Sequence, residues 1–265
     1  EMRGNRAVGV VRSLRRGKAP APEILGYAED EDVDLIVMGT HGWRGPERTG
    51  VGSVAEEVIR MAPAPVLAVR EPRQAAATAL FREVLVPIDL SAHSRIAAAS
   101  AGEVAALYGA RLALLHVLEE SRLPALYNRL VPAEVAVDIP PAELARLNIG
   151  LLLEEVVGRE SETDVEVLVG DPVSVITRQV RSRSVDLVVV ASHGEGAIES
   201  LLMGSVAGGV VSNAACSVLV VKPFGKILRS ELPPVESLLD SEGPAWSASG
   251  RVGSAGRQLA ESTSR

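Results

Sequence analysis

The chain has 265 residues, of which 47% are hydrophobic but only 3% aromatic, and it carries a formal net charge of −7 at pH 7. That length allows one large or two small domains, and a core built from Val, Leu, Ile and Ala favours a parallel α/β fold whose strands are covered on both faces. The acidic balance argues against nucleic acid or an anionic membrane as the main partner, and a single cysteine, Cys216, excludes an internal disulfide framework.

No stretch of about 18 apolar residues occurs and no charged-then-apolar leader opens the chain, so a soluble cytoplasmic protein is expected. The basic run from Arg12 to Lys18 is local. Ala7 to Val11 reads as a short strand and Ala21 to Glu29 as a helix with Ile24 and Leu25 facing inward. Asp34-Leu-Ile-Val-Met38 reads as a buried strand. It leads into Gly39-Thr-His-Gly42, nine further residues, then Gly52-Ser53. Val54 to Ala62 is the next helix, with Ser53 as its expected N-cap and Glu56 completing a capping box. Val66 to Val69 is a strand.

Residues 73–80, with an alanine run, read as a linker between a first domain (1–72) and a second (81–224). In the second, Glu83 to Asp89 is a strand ending in an acid. Ser91 to Gly109 is a helix with Ile96, Ala99, Val104 and Leu107 inward. Arg111 to Leu118 is a strand, and the prolines between 119 and 140 suggest a loop. Ala142 to Arg159 is a helix, Asp164 to Val169 an alternating strand, and Gly170-Asp-Pro172 opens the helix Val173 to Ser182. Residues 225–265 are Ser/Gly-rich and read as a flexible tail carrying the isolated Trp246.

A phrase repeats. Displaced by 152 positions, Val33 to Met38 matches Val185 to Val190, His41-Gly42 matches His193-Gly194, Gly52 to Ala55 matches Gly204 to Ala207, and Val66-Leu67 matches Val218-Leu219. No gap is needed, so the chain is a tandem of two related units. Strand, glycine loop and helix start together make a place for an anion: glycines allow close backbone approach, and first-turn amides lack intrahelical partners.

Two common nucleotide signatures fail here. Neither Gly17-Lys18-Ala19 nor Gly225-Lys226-Ile227 supplies the Gly-Lys-Ser/Thr of a P-loop, and Gly194-Glu195-Gly196 is followed by Glu199 where a dinucleotide fingerprint wants glycine or alanine. Gly-x-x-Gly, nine residues, Gly-Ser, between Asp-Leu-Ile-Val-Met and Pro-Val-Leu-x-Val strands, resembles the universal stress protein family. Val84 to Asp89, Leu115-His-Val117 and Val169-Gly-Asp-Pro172 add to that resemblance. It implies a flavodoxin-like, adenine-nucleotide α-hydrolase-like open parallel sheet of five strands in the order 3-2-1-4-5. Two tandem copies are expected, the first partial. It also implies pairing through the last strands, within the chain or between copies of it.

The resemblance further implies ATP, with or without Mg²⁺, at a site in the second unit. Asp89, with Pro87 beside it, and Val117 would take the nucleoside. Ala191, His193, Gly194, Gly204, Ser205 and Val206 would surround the phosphates. The first unit has the full loop, Gly39, Gly42, Gly52 and Ser53, but lacks the strand that would bring an acid, so its site is incomplete and a longer N-terminal region is expected. The second has Ala191 where the first has Gly39, a methyl that works against close backbone approach, and Gly208-Gly209 within its helix costs about 1 kcal/mol per glycine in propensity.

Simpler roles stand beside these. Asp89 could cap the following helix, His93 could be a helix-start residue, and His116 an interior one. Cys216, before a strand, fits a small buried group. No metal-ligand spacing surrounds His41 or His193, and no catalytic residue is assigned. The favoured function is an ATP-binding module in stress response or signalling, the alternative a dimerisation or regulatory scaffold, and the enzymatic reading is slow ATP hydrolysis or nucleotidyl chemistry at the Ser205 or Ser53 loop.

Overall fold

The computed structural model describes residues 9–40, 50–70, 81–119, 140–156, 163–194 and 203–222. His41, Gly42, Trp246, the linker and the tail lie outside them. In chain order the elements are α1 (Pro20–Asp30), β1 (Ile36–Gly39), α2 (Ser53–Met61), β2 (Val66–Val69), β3 (Glu83–Ile88), α3 (Ala92–Tyr108), β4 (Arg111–Leu118), α4 (Pro141–Val156), β5 (Thr163–Val169), α5 (Pro172–Ser182), β6 (Leu187–Ala191), α6 (Ser205–Asn213) and β7 (Ser217–Val221).

Local chemistry accounts for the helix ends. Pro20 and Pro172 stand in the first turns of α1 and α5, where proline's missing N–H costs nothing. Ser91 caps α3 by accepting from the Ser94 amide, and Asp171 caps α5 through Ser174. Gly109 closes α3 in the left-handed region at φ 64°, which glycine tolerates.

The described strands form one sheet in the order β1-β2-β7-β6-β3-β4-β5. Within the second unit that is the 3-2-1-4-5 arrangement read from its far end, and its four pairings are parallel. Helices cover both faces, and two aliphatic clusters form the core. One contains Val58, Ile59, Leu85, Val188 and Val210; the other contains Val84, Ile96, Leu114, Ile149 and Leu187.

The first unit joins through β2, which pairs antiparallel with β7 at Val66↔Val220, Leu67↔Leu219 and Ala68↔Val218. In the 152-residue correspondence Leu67 and Leu219 are equivalent, so a local two-fold axis passes between them. The side chains beyond this ladder obey the same symmetry. The Lys222 ammonium donates to the carbonyls of Ile59 and Arg60 in the last turn of α2. Its equivalent, Arg70, donates to those of Val211 and Ser212 in the last turn of α6, at 3.1 and 2.9 Å. Each unit thus satisfies the open carbonyls of the other's helix with a cation, where the helix dipole favours one.

Burial pushes the Lys222 pKa from the ordinary 10.5 down to about 8. The unfolded chain therefore holds this proton to a higher pH than the folded one, and stability should rise between pH 8 and about 10.5, by at most about 1.4 kcal/mol per pH unit. Urea midpoints measured across that range should climb for the wild-type chain relative to Lys222→Met. Parallel curves for the two would contradict the assignment.

Three expectations change. Residues 9–17 form no strand, and Val10, Val11 and Leu14 are exposed. A strand there has no neighbour to pair with among the described residues. β1 is an edge strand rather than a buried one: Val37 is 58% exposed, whereas its counterpart Val189 is 0% exposed because β3 and α3 cover the second unit. Leu107, expected inward, is 73% exposed, while Ile96 and Ala99 are buried.

The glycine pair in α6 also divides. A Cβ on Gly209 would stand 2.6 Å from Val173 Cγ2 in α5, whereas one on Gly208 would meet only Met203 Cε at 3.7 Å. Gly209 is the close contact of two helices, and its propensity cost is offset by that packing. Gly209→Ala should destabilise by about 1–3 kcal/mol through overpacking. Gly208→Ala should be neutral or stabilising by up to about 1 kcal/mol, and thermal denaturation of the two variants distinguishes the cases.

Candidate functional site

The β3–β6 ladder runs only from Val84↔Leu187 to Leu85↔Val188. Beyond it the carboxyl ends of the two strands open a crevice at the point where the chain order reverses, the general location of ligands in open α/β sheets. A cavity of about 320 Å³ lies there.

Pro87 and Asp89 reach it from the end of β3, and Val117 from β4. Ala191, His193 and Gly194 come from the end of β6 and the turn after it. Gly204, Ser205 and Val206 come from the start of α6. All nine residues expected in the second unit line one cavity. Ser94, Glu119, Pro172 and Ile176 line it too and were not singled out as site residues. The phrase Gly170-Asp-Pro172 was a signal for Pro172; for Glu119 the signal was an acid two residues beyond Val117.

Asp89 does not cap α3. Its Oδ1 accepts from the Ser91 amide at 3.0 Å and from the Ser91 hydroxyl at 2.5 Å, and Ser91 is the cap. The carboxylate is therefore oriented by the helix it precedes, with Oδ2 turned toward Gly194, where a Cβ would stand 2.5 Å away. Gly194 is glycine because Asp89 occupies the space.

The helix start differs from expectation in a useful way. Gly204 is the N-cap of α6, with φ −57° and no side-chain cap bond, and Ser205 is the first helical residue. Gly52 and Ser53 have the same positions in α2, so Ser53 is not the cap. A glycine cap supplies no side-chain acceptor for the first-turn amides, which leaves that role to a ligand or water. Both loops close by the same bond: Gly204 N donates to Ser192 O, and Gly52 N to Thr40 O, each at 2.8 Å.

His193 is buried, with Nδ1 2.9 Å from Ser192 Oγ. His93, from the first turn of α3, faces it with ring centroids 6.3 Å apart and planes tilted by 48°. Burial lowers the His93 pKa below the ordinary imidazole value, the charge of His193 lowers it further, and Asp89 partly opposes both. His116, buried on β4, places Nδ1 2.6 Å from Ile88 O, tying the end of β3 to its neighbour. Cys216 is buried, and desolvation raises its thiol pKa to about 12, so it is an inert packing group.

In the first unit Gly39 ends an edge strand and is exposed. Among the described residues no strand lies beyond β1 to bring it an acid.

Fold and crevice together define an open α/β protein with a ligand-sized cavity at its switch point. The universal stress protein family model matches residues 1–70 and 80–222. The chain belongs to that family. Universal stress protein Rv2005c of Mycobacterium tuberculosis is 31% identical over 212 residues, covering 77% of this chain and 66% of that protein. Universal stress protein MJ0531 of Methanocaldococcus jannaschii is 54% identical over 55 residues, 21% of this chain and 32% of the relative. The crystal structure of a universal stress protein from Archaeoglobus fulgidus has a TM-score of 0.55 at 22% identity, covering 76% of this chain and 66% of that one. The chain thus spans about two thirds of the mycobacterial relative and about a third of the M. jannaschii one. Among the described residues no helix is long and apolar enough to cross a membrane.

Proposed function

We propose that the crevice of the second unit binds an adenine nucleotide, ATP in the first instance, and that the protein is a nucleotide-responsive module of the cytoplasmic stress response. The observation that carries this reading is the convergence of an oriented carboxylate and an uncapped helix start on one cavity of about 320 Å³, within the usual range for small-molecule sites. Adenine would lie between Val117 and the Asp89 side, where the carboxylate can accept from its exocyclic amino group. The phosphates would take the amides of Ser205 and Val206, at the positive end of the α6 dipole. Mg²⁺ would be held by the phosphates, since no three-residue cluster of metal-ligating side chains occurs among the described residues. Ala191 narrows the wall by one methyl and leaves the cavity open. Gly39 and Gly52 with Ser53 stand at the equivalent positions of the first unit, where no described strand brings an acid, and we assign that unit no nucleotide of its own.

A second reading, a dimerisation or regulatory scaffold, draws on the two-fold clamp of Arg70 and Lys222. Calorimetric titration of ATP with Mg²⁺ into the purified chain separates the two readings. Saturable binding, with affinity lost at least about tenfold in Asp89→Ala, supports the nucleotide reading, tenfold corresponding to about 1.4 kcal/mol. No heat and no competition by ATP would leave the scaffold. Phosphate release that requires Mg²⁺ and falls in Ser205→Ala would add slow hydrolysis to the binding role.

A further inference from the structure

His93 stands in the first turn of the long helix α3 and looks, in sequence, like an ordinary helix-start residue. Its position is less ordinary. It is half-buried, 6.3 Å from the ring of His193, which lines the crevice, and the Asp89 carboxylate acts on it. His193 lines the cavity beside Gly194, and its backbone lies against Gly204 at the start of α6. His193 therefore stands beside the helix start where the proposed phosphates would sit, with the His93 ring next to it. We propose that His93 is a positioning residue of this site, acting through its contact with His193, so that binding of a polyphosphate draws a proton onto His93.

The inference rests on the nucleotide reading above and adds to it a linkage between binding and pH. Without ligand, the groups that face the pair work in opposite directions. Asp89, at the end of β3, favours protonation of His93; Glu119, across the cavity from the end of β4, adds negative charge to the same space; the positive end of α6 and the charge of His193 disfavour it. Burial of His93 tips the balance toward a neutral ring, as its lowered pKa reflects. A polyphosphate seated at α6 offsets the dipole's positive end and brings several negative charges next to His193. The His93 ring, no longer isolated from compensating charge, then titrates at higher pH than without ligand.

The linkage relation gives the sign. The liganded state binds more protons than the free state, so affinity rises as pH falls. ATP affinity is expected to increase about tenfold from pH 8 to pH 6, with calorimetry in two buffers of different ionisation enthalpy showing net proton uptake. Because the terminal phosphate of ATP itself titrates near pH 6, the deciding quantity is the difference between wild-type chain and His93→Gln. That variant should lose most of the gain in affinity that the wild-type chain shows between pH 8 and pH 6, whatever its affinity at pH 8. Imidazole titration by NMR on the wild-type chain supplies a measurement independent of the variant's folding: the His93 midpoint should move up on adding ATP, and up again when His193 is replaced by Gln. ATP binding with no proton uptake and a His93 midpoint indifferent to ligand would overturn the inference while leaving the nucleotide reading intact. Absence of ATP binding at both pH values would overturn both.

Discussion

Gly194→Ala should lower ATP affinity by about 100-fold, close to 2.7 kcal/mol, in a chain that still folds. The added Cβ would stand 2.5 Å from Asp89 Oδ2 and 3.7 Å from its Cγ. A long side chain would swing aside, but Asp89 is short and its Oδ1 is held by the Ser91 amide and hydroxyl. Relief of the overlap therefore requires the carboxylate to leave Ser91 or the turn after β6 to move off the cavity wall. The first loosens the cap of α3, worth about 1 kcal/mol; the second displaces His193 and the loop toward α6. Either way the acid and the helix start no longer present the geometry that the proposed ligand needs. Titration calorimetry reads the affinity and circular dichroism the fold, and unchanged ATP affinity in folded Gly194→Ala would remove Asp89 from the site.

Glu83→Ala should destabilise the chain by about 3–5 kcal/mol, the usual consequence of removing one partner from a buried ion pair. Glu83 is 3% exposed at the first position of β3, the end of the sheet away from the crevice. Its Oε1 accepts from Arg183 Nε and Nη2 at 3.1 and 2.8 Å, and its Oε2 lies 2.9 Å from Arg111 Nε. Arg183 also reaches Asp164 and Glu166 on β5 at 2.8 and 3.2 Å; burial works to lower its pKa, but Glu83 and Asp164 hold it above the ordinary arginine value. The cluster joins β3, β4, β5 and the end of α5, so the loss is shared by the whole parallel half of the sheet. Glu83→Gln keeps the shape and some of the hydrogen bonding and should cost less, about 1.5–3 kcal/mol for bonds to a charged partner. Guanidinium midpoints order the three proteins, and a Glu83→Ala midpoint within error of wild type would show that Arg183 finds full compensation on β5.

Much of this architecture was legible in the residues because it rests on local rules. Val66 to Val69 and Arg111 to Leu118 are strands with the ends expected of them, since β-branched and leucine runs between turn residues leave little choice of element. The loop residues are gathered at one crevice by the resemblance to the universal stress protein family, in agreement with the general placement of ligands at the carboxyl ends of parallel strands. The misreadings share a different cause. Ser53 carries the right side chain for a cap, yet Gly52 takes the role, because the Gly52 N–H must bond Thr40 O to close the loop. Val10 and Val11 have strand-forming side chains, but a strand is defined by a neighbour that pairs with it. Leu107 occupies an inward-looking position of an ideal helix and faces out, since the packing of α3 on the sheet is set by Ile96, Ala97, Ala101 and Ala105.

Sequence alone determined the period of the repeat, the parallel α/β class, the glycine loop and the family, because each is written in side-chain type and spacing along the chain. Tertiary structure alone decided that Gly209 is required by Val173, that Glu83 is buried between two arginines, that Arg70 and Lys222 cap each other's units, and that His93 faces His193. Each of these depends on two residues far apart in the chain meeting at a distance of a few ångströms. Periodicity and propensity are properties of neighbours in sequence, so they hold no information about that distance until the sheet has brought the residues together.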